Sequence, residues 1–246
     1  MVAVIPARLE STRFPRKSLA AETGTPLIIH AAQQAALAQR VGEVIVASDA
    51  EEILEAGRQH GFAAVETRAD HLNGTSRIAE VAADLDCDLV VNVQADEPEI
   101  DPAVIDAAVE ALMDAPDCQV GTIASPMGPH EDPTDPNLVK VVLDQSERAL
   151  YFSRALIPHD RDGTRTDPPL RHVGLYVYRR EFLGVYAALP ATPAETVEKL
   201  EQLRVLENGH QIAVAIRTCH HQGIDTPEQY EAFVARHAAG KPGVVD

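Results

Sequence analysis

Short β-branched runs alternate with helix-forming stretches from the first residues onward, and that alternation limits the fold more than any other feature of the chain. Val2 to Ile5 is an apolar run ending at Pro6, and Pro26 opens a segment rich in Ala, Leu and Gln through Arg40. Glu43 to Ala47 is a second run. Ser48 and Asp49 are N-cap types for a helix from about Ala50 to His60, and Gly61 closes it. Phe62 to Val65 is a third run, and Asn73 or Thr75 caps a helix to about Leu85. Asp88 to Gln94 is a fourth run, and Asp101-Pro102 supplies the cap and first residue of another helix. Continuous apolar strands separated by helices predict a mostly parallel central sheet with helices on both faces, an α/β fold of Rossmann-like type. Ligands of such sheets bind outside the carboxyl ends of the strands. The loops at 6–17, 48–50 and 94–98 are therefore expected to line one crevice.

From Gln119 onward strand signals dominate: Val120 to Ala124, Leu138 to Leu143, Ala149 to Phe152 and Val173 to Tyr178. Between the last two, Pro158 to Pro169 is polar and rich in Asp, Arg and Pro, which predicts a loop. Glu195 to Glu207 follows as a helix with Val197, Leu200, Leu203 and Leu206 on one face, stopped by Asn208-Gly209. Gln211 to Thr218 is a strand, Thr226-Pro227 begins the last helix, and the tail from Ala238 is expected to fray. The 246 residues are expected to form a single domain with a β-rich insertion at about 129–178.

Composition excludes several classes of function. The net charge of −17 repels phosphate backbones, so non-specific nucleic-acid binding is not expected. The excess acid also fits a salt-adapted surface. No apolar run approaches the ~20 residues of a membrane span. MVAVIPAR lacks the basic and apolar regions of a secretory signal, so the cytoplasm is the expected location. The cysteines, Cys87, Cys118 and Cys219, are three and have no CxxC spacing, which argues against disulfides and structural zinc.

Against that acidic background, four basic residues cluster directly after the first strand: Arg8, Arg13, Arg16 and Lys17, with Ser11 and Thr12 between them. Arginine forks and a lysine point charge suit phosphate oxygens, so the segment is a candidate triphosphate cradle, although it is neither a Walker A loop nor GxGxxG. Asn92 to Pro98 (NVQADEP) places Asp96 just past a buried strand, where a carboxylate can serve a divalent cation. Asp96-Glu97-Pro98 also makes a good turn. Asp225, in GIDTP, is a second candidate carboxylate or a simple helix-entry residue. His172, Gly174 and Tyr176 share one strand face and form a candidate substrate wall, while Glu201-Gln202 by itself reads as a solvated helix face.

Taken together these residues resemble the CMP-Kdo synthetases, the 3-deoxy-manno-octulosonate cytidylyltransferases. The family's IPAR-x-x-STR-x-P-x-K stands here as Ile5 to Lys17. TRADH with Gly74-Thr75, NVQADEP, NLVKVVLD, ALYFSRA, Arg171 to Tyr178, LEQLRVL and GIDTP match in order from residue 2 to about 234. The resemblance implies a nucleotide-diphospho-sugar transferase-like fold. It implies transfer of CMP from CTP to the anomeric hydroxyl of Kdo for lipopolysaccharide synthesis, with Mg²⁺ as cofactor and a homodimer formed through the β-rich insertion. It implies a nucleotide pocket of Pro6, Ala7, Arg8, Ser11, Thr12, Arg13, Lys17, Arg68, Gly74, Thr75 and Gln94. Arg13, Lys17, Asp96 and Asp225 would be catalytic, and Asp96 and Asp225 would hold the metal. Arg154, His172, Tyr176, Glu201 and Gln202 would bind the sugar, with Arg154 facing its carboxylate. A related acidic sugar (8-amino-Kdo or sialic acid) and a non-catalytic nucleotide-binding regulator remain alternatives.

Overall fold

A computed structural model describes residues 1–10, 13–71, 73–221 and 223–240, and its first four strands realise the alternation read from the sequence. They are β1 (Val2–Ala7), β2 (Glu43–Ser48), β3 (Ala63–Glu66) and β4 (Leu89–Asn92). β1 lies between β2 and β4, β3 flanks β2, and every pairing is parallel. β1 and β4 are buried along their whole lengths, as strands covered on both faces must be. β1 runs one residue beyond Pro6. Its ladder with β4 stops at Val4–Asn92, so the missing proline N–H removes no bond there.

These strands belong to the first of two units, made of Met1–Asp106, Tyr178–Ala187 and His220 onward. Its helices are α1 (Leu27–Leu37), α2 (Glu51–Gln59), α3 (Gly74–Ala82), the start of α4 (Pro102–Asp114), α5 (Arg180–Ala188) and, near the C-terminus, α8 (Pro227–Ala238). Asn73 caps α3 through Ser76 N–H at 2.8 Å, and Thr226 caps α8 with Gln229 completing the box. Two cap expectations change. Asp49 is committed to Arg77, and Ser48 Oγ accepts from Ala50 N–H at 3.1 Å instead of capping α2 further in.

The second unit comprises Ala107–Val177 and Ala188–Cys219, so residues 129–177 of the β-rich stretch lie inside a larger body. It contains β5 (Val120–Pro126), β6 (Lys140–Leu143), β7 (Ala149–Ser153), β8 (Leu170–Arg179) through Val177, and β9 (Ile212–Ile216). β5 and β9 are parallel, and β6 pairs antiparallel with β7 and β8. Gly121 in β5 is obligatory: a Cβ there would lie 2.7 Å from the Ala108 carbonyl oxygen on α4. The helix expected over 195–207 is broken into α6 (Pro193–Glu198) and α7 (Gln202–Glu207) by Lys199, which adopts the left-handed conformation at φ 55°. The break leaves Val197 82% exposed and turns Gln202 and Arg204 inward. Arg204 is paid for by a two-pronged ion pair with Glu195, at 2.5 and 2.8 Å. α5 was not legible in advance, because its residues carry neither a cap signal nor a strong apolar stripe. No helix among the described residues is long and apolar enough to cross a membrane.

Candidate active site

The basic segment and both candidate aspartates meet in the first unit. The chain leaves β1 at Ala7 and reaches a single 3₁₀ turn at Lys17–Leu19, entered through Arg16 in the left-handed region at φ 58°. A non-glycine residue there is strained by about 1 kcal/mol. The Arg16 guanidinium is tied to Glu52 at the start of α2, which holds the kink. The kink sends Lys17 inward. Its Nζ donates to Asp96 Oδ2 at 2.8 Å, to Asp225 Oδ1 at 3.4 Å and to the Ile224 carbonyl at 2.6 Å. Arg13 Nη2 lies 3.0 Å from Asp225 Oδ1 on the more exposed side.

The two carboxylates are positioned by main chain. Ile224, the residue before Asp225, donates its N–H to the carbonyl of Asp96 itself at 2.8 Å. Asp225 N–H donates to Gln229 Oε1 at 2.7 Å, anchoring the second acid to α8. Gly223 passes so close to Glu97 that a Cβ would come within 3.1 Å of Glu97 Oε1. His221 Nε2 stands 3.7 Å from the other oxygen of the same carboxylate, so a buried acid–imidazole pair backs the loop. Glu97 stands in the NVQADEP motif, but no local pattern in the sequence pairs it with His221.

The remaining nucleotide candidates gather around the ends of β1 and α3. Pro6 and Ala7 are the last residues of β1. Gly74 starts α3, and a Cβ there would lie 3.2 Å from Pro6 Cγ, so glycine lets the helix N-terminus approach the strand end. Thr75 is buried in that first turn. Arg8 donates to the His71 carbonyl, and the His71 ring is bonded to Glu80 on α3. Arg68 is exposed, 3.6 Å from both Asp70 and Glu80, with its guanidinium open to solvent. Gln94 follows β4 and donates to Asn92 Oδ1 at 3.1 Å. Beneath them Arg77, fully buried, joins Asp49 at 2.7 Å and also bonds Thr67, welding the ends of β2 and β3 to α3. Ser11 and Thr12 lie outside the described residues.

The sugar candidates all lie in the second unit. His172 and Tyr176 share a face of β8, with ring centroids 5.2 Å apart. Thr122 Oγ1 donates to the Leu175 carbonyl at 2.6 Å, and its single proton is thereby used. The 2.9 Å contact between Thr122 Oγ1 and His172 Nε2 therefore makes Nε2 the donor, which leaves Nδ1 as an acceptor. Burial, with a smaller push from the Arg171 guanidinium, brings the His172 pKa down to about 3, so the ring is neutral at physiological pH. Glu201 stands at the N-cap of α7, and Gln202 beside it is 5% exposed. The Gln202 Nε2 amide finds no hydrogen-bond acceptor among the described residues. Arg154 is held by main chain. Its Nε, Nη1 and Nη2 donate to the carbonyls of Glu198, Pro136 and Lys199 at 2.7, 2.8 and 3.4 Å. Its guanidinium clamps the α6–α7 break.

A family model described as cytidylyltransferase matches residues 2–212. The chain is 47% identical to the 3-deoxy-manno-octulosonate cytidylyltransferase of Solibacter usitatus, over 94% of this chain and 92% of that protein. It is 46% identical to the enzyme of the same name from Geobacter metallireducens, over 96% and 97% of the two chains. A solved structure of CMP:2-keto-3-deoxy-manno-octonic acid synthetase complexed with CTP matches at TM-score 0.92 and 37% identity, covering 97% of this chain and 98% of that one. The inositol-1-phosphate CTP transferase of T. maritima, at TM-score 0.64 and 12% identity over 100% and 98% of the two chains, shares the fold alone. The expected nucleotidyltransferase-like α/β fold is therefore the observed one, and the chain belongs to the cytidylyltransferase family, among the 3-deoxy-manno-octulosonate cytidylyltransferases.

Proposed function

We propose that this protein transfers CMP from CTP to the anomeric hydroxyl of Kdo, releasing pyrophosphate and supplying CMP-Kdo for lipopolysaccharide synthesis in the cytoplasm. The observation that carries the reading is the convergence of Asp96 and Asp225 on one cation, the Lys17 ammonium, beside Arg13. Two carboxylates that reach one positive charge fit Mg²⁺, which takes one or two carboxylates and completes its shell with phosphates and water. Bound there, Mg²⁺ would neutralise charge on the reacting phosphate and hydroxyl.

The residues of the chain do the rest by positioning and charge. Arg8, Arg13 and Lys17 draw in the triphosphate, and the close packing of Gly74 on Pro6 brings the N-terminus of α3 to the end of β1. On the sugar side, neutral His172 offers Nδ1 as an acceptor and Gln202 offers Nε2 as a donor. Such an acceptor and such a donor each suit a sugar hydroxyl, which both donates and accepts. The sugar hydroxyl attacks the α-phosphorus, one P–O bond forms, the bond to pyrophosphate breaks, and the hydroxyl proton passes to solvent. Exposed Leu150 and Tyr151 on β7, with Val197 on α6, support a homodimer.

Pyrophosphate release with CTP and Mg²⁺, assayed with Kdo, 8-amino-Kdo and sialic acid, tests the reading. Kdo should give the highest kcat/KM. Asp96→Ala and Asp225→Ala should each lower turnover by roughly a thousandfold or more, the scale on which charge stabilisation operates. Release with none of the sugars, despite CTP binding, would replace catalysis by regulation.

A further inference from the structure

A lysine ammonium stands where the two aspartates converge, and it uses the very oxygens a divalent cation needs. Asp96 Oδ2, Asp225 Oδ1 and the Ile224 carbonyl all lie within 3.4 Å of Lys17 Nζ. Two carboxylate oxygens and a carbonyl are the ligands that Mg²⁺ or Mn²⁺ prefers. The Lys17 side chain is only 12% exposed, so its charge is poorly screened at this point. A divalent cation on the same three oxygens would stand within a few ångström of the ammonium and be repelled by it, so each weakens the other's hold on the acids.

We propose that Lys17 and the divalent cation compete for this oxygen cluster, so that the cation seats itself as Lys17 is drawn away to the nucleotide phosphates. Lys17 is thus an exchange residue that couples cation binding to CTP binding. The proposal rests on the assignment of Asp96 and Asp225 as metal ligands. Three features of the chain support the exchange. Lys17 projects from a single 3₁₀ turn on a long flexible stem, so its head can move without moving the sheet. Arg13 lies on the same segment, 65% exposed, ready to recruit the phosphates that would attract Lys17. The oxygen cluster does not depend on the lysine: Ile224 N–H to the Asp96 carbonyl, and Asp225 N–H to Gln229, hold both acids in place when it leaves. By reciprocity, the factor by which CTP raises cation affinity is also the factor by which the cation raises CTP affinity.

The test is Mn²⁺ binding to the full chain, read by electron paramagnetic resonance without nucleotide. Lys17→Met keeps the stem and removes the charge, and should bind Mn²⁺ about tenfold more tightly than wild type, or better. Lys17→Arg should stay near wild type. With a non-hydrolysable CTP analogue at saturation, the gap between Lys17→Met and wild type should shrink. Native circular dichroism and melting confirm the fold of each variant. No gain in Mn²⁺ affinity for folded Lys17→Met overturns the exchange. Asp96→Asn added to Lys17→Met separates this failure from that of the metal assignment: it should abolish the tight site, and a tight site that survives it overturns the assignment of the cation to Asp96, and with it the exchange.

Discussion

The side-chain amide of Gln202 is a buried donor without an acceptor among the described residues, at a position that reads in the sequence as the solvated face of a helix. Such a group costs about 1–3 kcal/mol of stability, a cost that a bound ligand removes. Gln202→Leu should therefore melt at or above the wild-type temperature. It should also raise the KM for Kdo about fivefold, the value of one hydrogen bond of about 1 kcal/mol, and leave the KM for CTP unchanged. Steady-state kinetics and calorimetry read both halves, and an unchanged KM for Kdo would remove Gln202 from the sugar site. Residues of the first unit were legible by a simple rule: Arg8 and Asp96 directly follow buried strands, where α/β sheets present their ligand groups. Arg154 was not, because its three carbonyl partners come from residues 136, 198 and 199, and no local pattern reveals a clamp built from distant chain. The Thr122 contact that sets the His172 tautomer is hidden for the same reason, spanning 50 positions.

At the scale of elements, the site depends on how the segment after β1 docks on α8. Phe14 stacks on Tyr230 with ring centroids 5.4 Å apart, and Leu27, Ile224 and Phe233 complete an apolar cluster around them. The Tyr230 hydroxyl accepts from Glu22 N–H at 3.0 Å, and burial foremost, with the Glu22 carboxylate, raises its pKa to about 12. The cluster thus joins the cationic segment, Ile224 and the helix that carries the Asp225 anchor. Tyr230→Ala should cost about 3 kcal/mol in denaturant unfolding, as an aromatic core truncation does, and Tyr230→Phe about 1 kcal/mol. Phe14, at the margin of the cluster, is the better probe of positioning. Phe14→Ala should raise the KM for CTP several-fold with little change in kcat, and Phe14→Leu should restore it; a loss confined to stability would limit Phe14 to packing. Both helix caps at Asn73 and Thr226 were readable from their residue types, since capping is local chemistry. The break at Lys199 was not, because a left-handed lysine is imposed by tertiary packing against its own weak preference.

For the whole molecule, the charge of −17 sets the terms on which two copies can associate. Each copy repels the other, so a stable pair needs an apolar patch to offset the field. The second unit offers one: Leu150 is 60% exposed on β7, and α6 lies beside that strand, with Glu198 accepting from Ser153 Oγ at 2.7 Å. Val197, one residue earlier, is almost fully solvated. The charge was plain from composition, but the patch was not, since placing Val197 on one helix face with Leu200 and Leu203 argued for a buried face. Sedimentation velocity decides whether the patch is used. Wild type should sediment as a dimer, with Kd falling as NaCl rises and the Debye length shrinks from ~14 Å at 0.05 M to ~4 Å at 0.5 M. Leu150→Glu should give a monomer at all salts, because it adds like charge at the contact and removes the apolar area that opposed it. A dimer that survives Leu150→Glu would place the interface on another face of the chain.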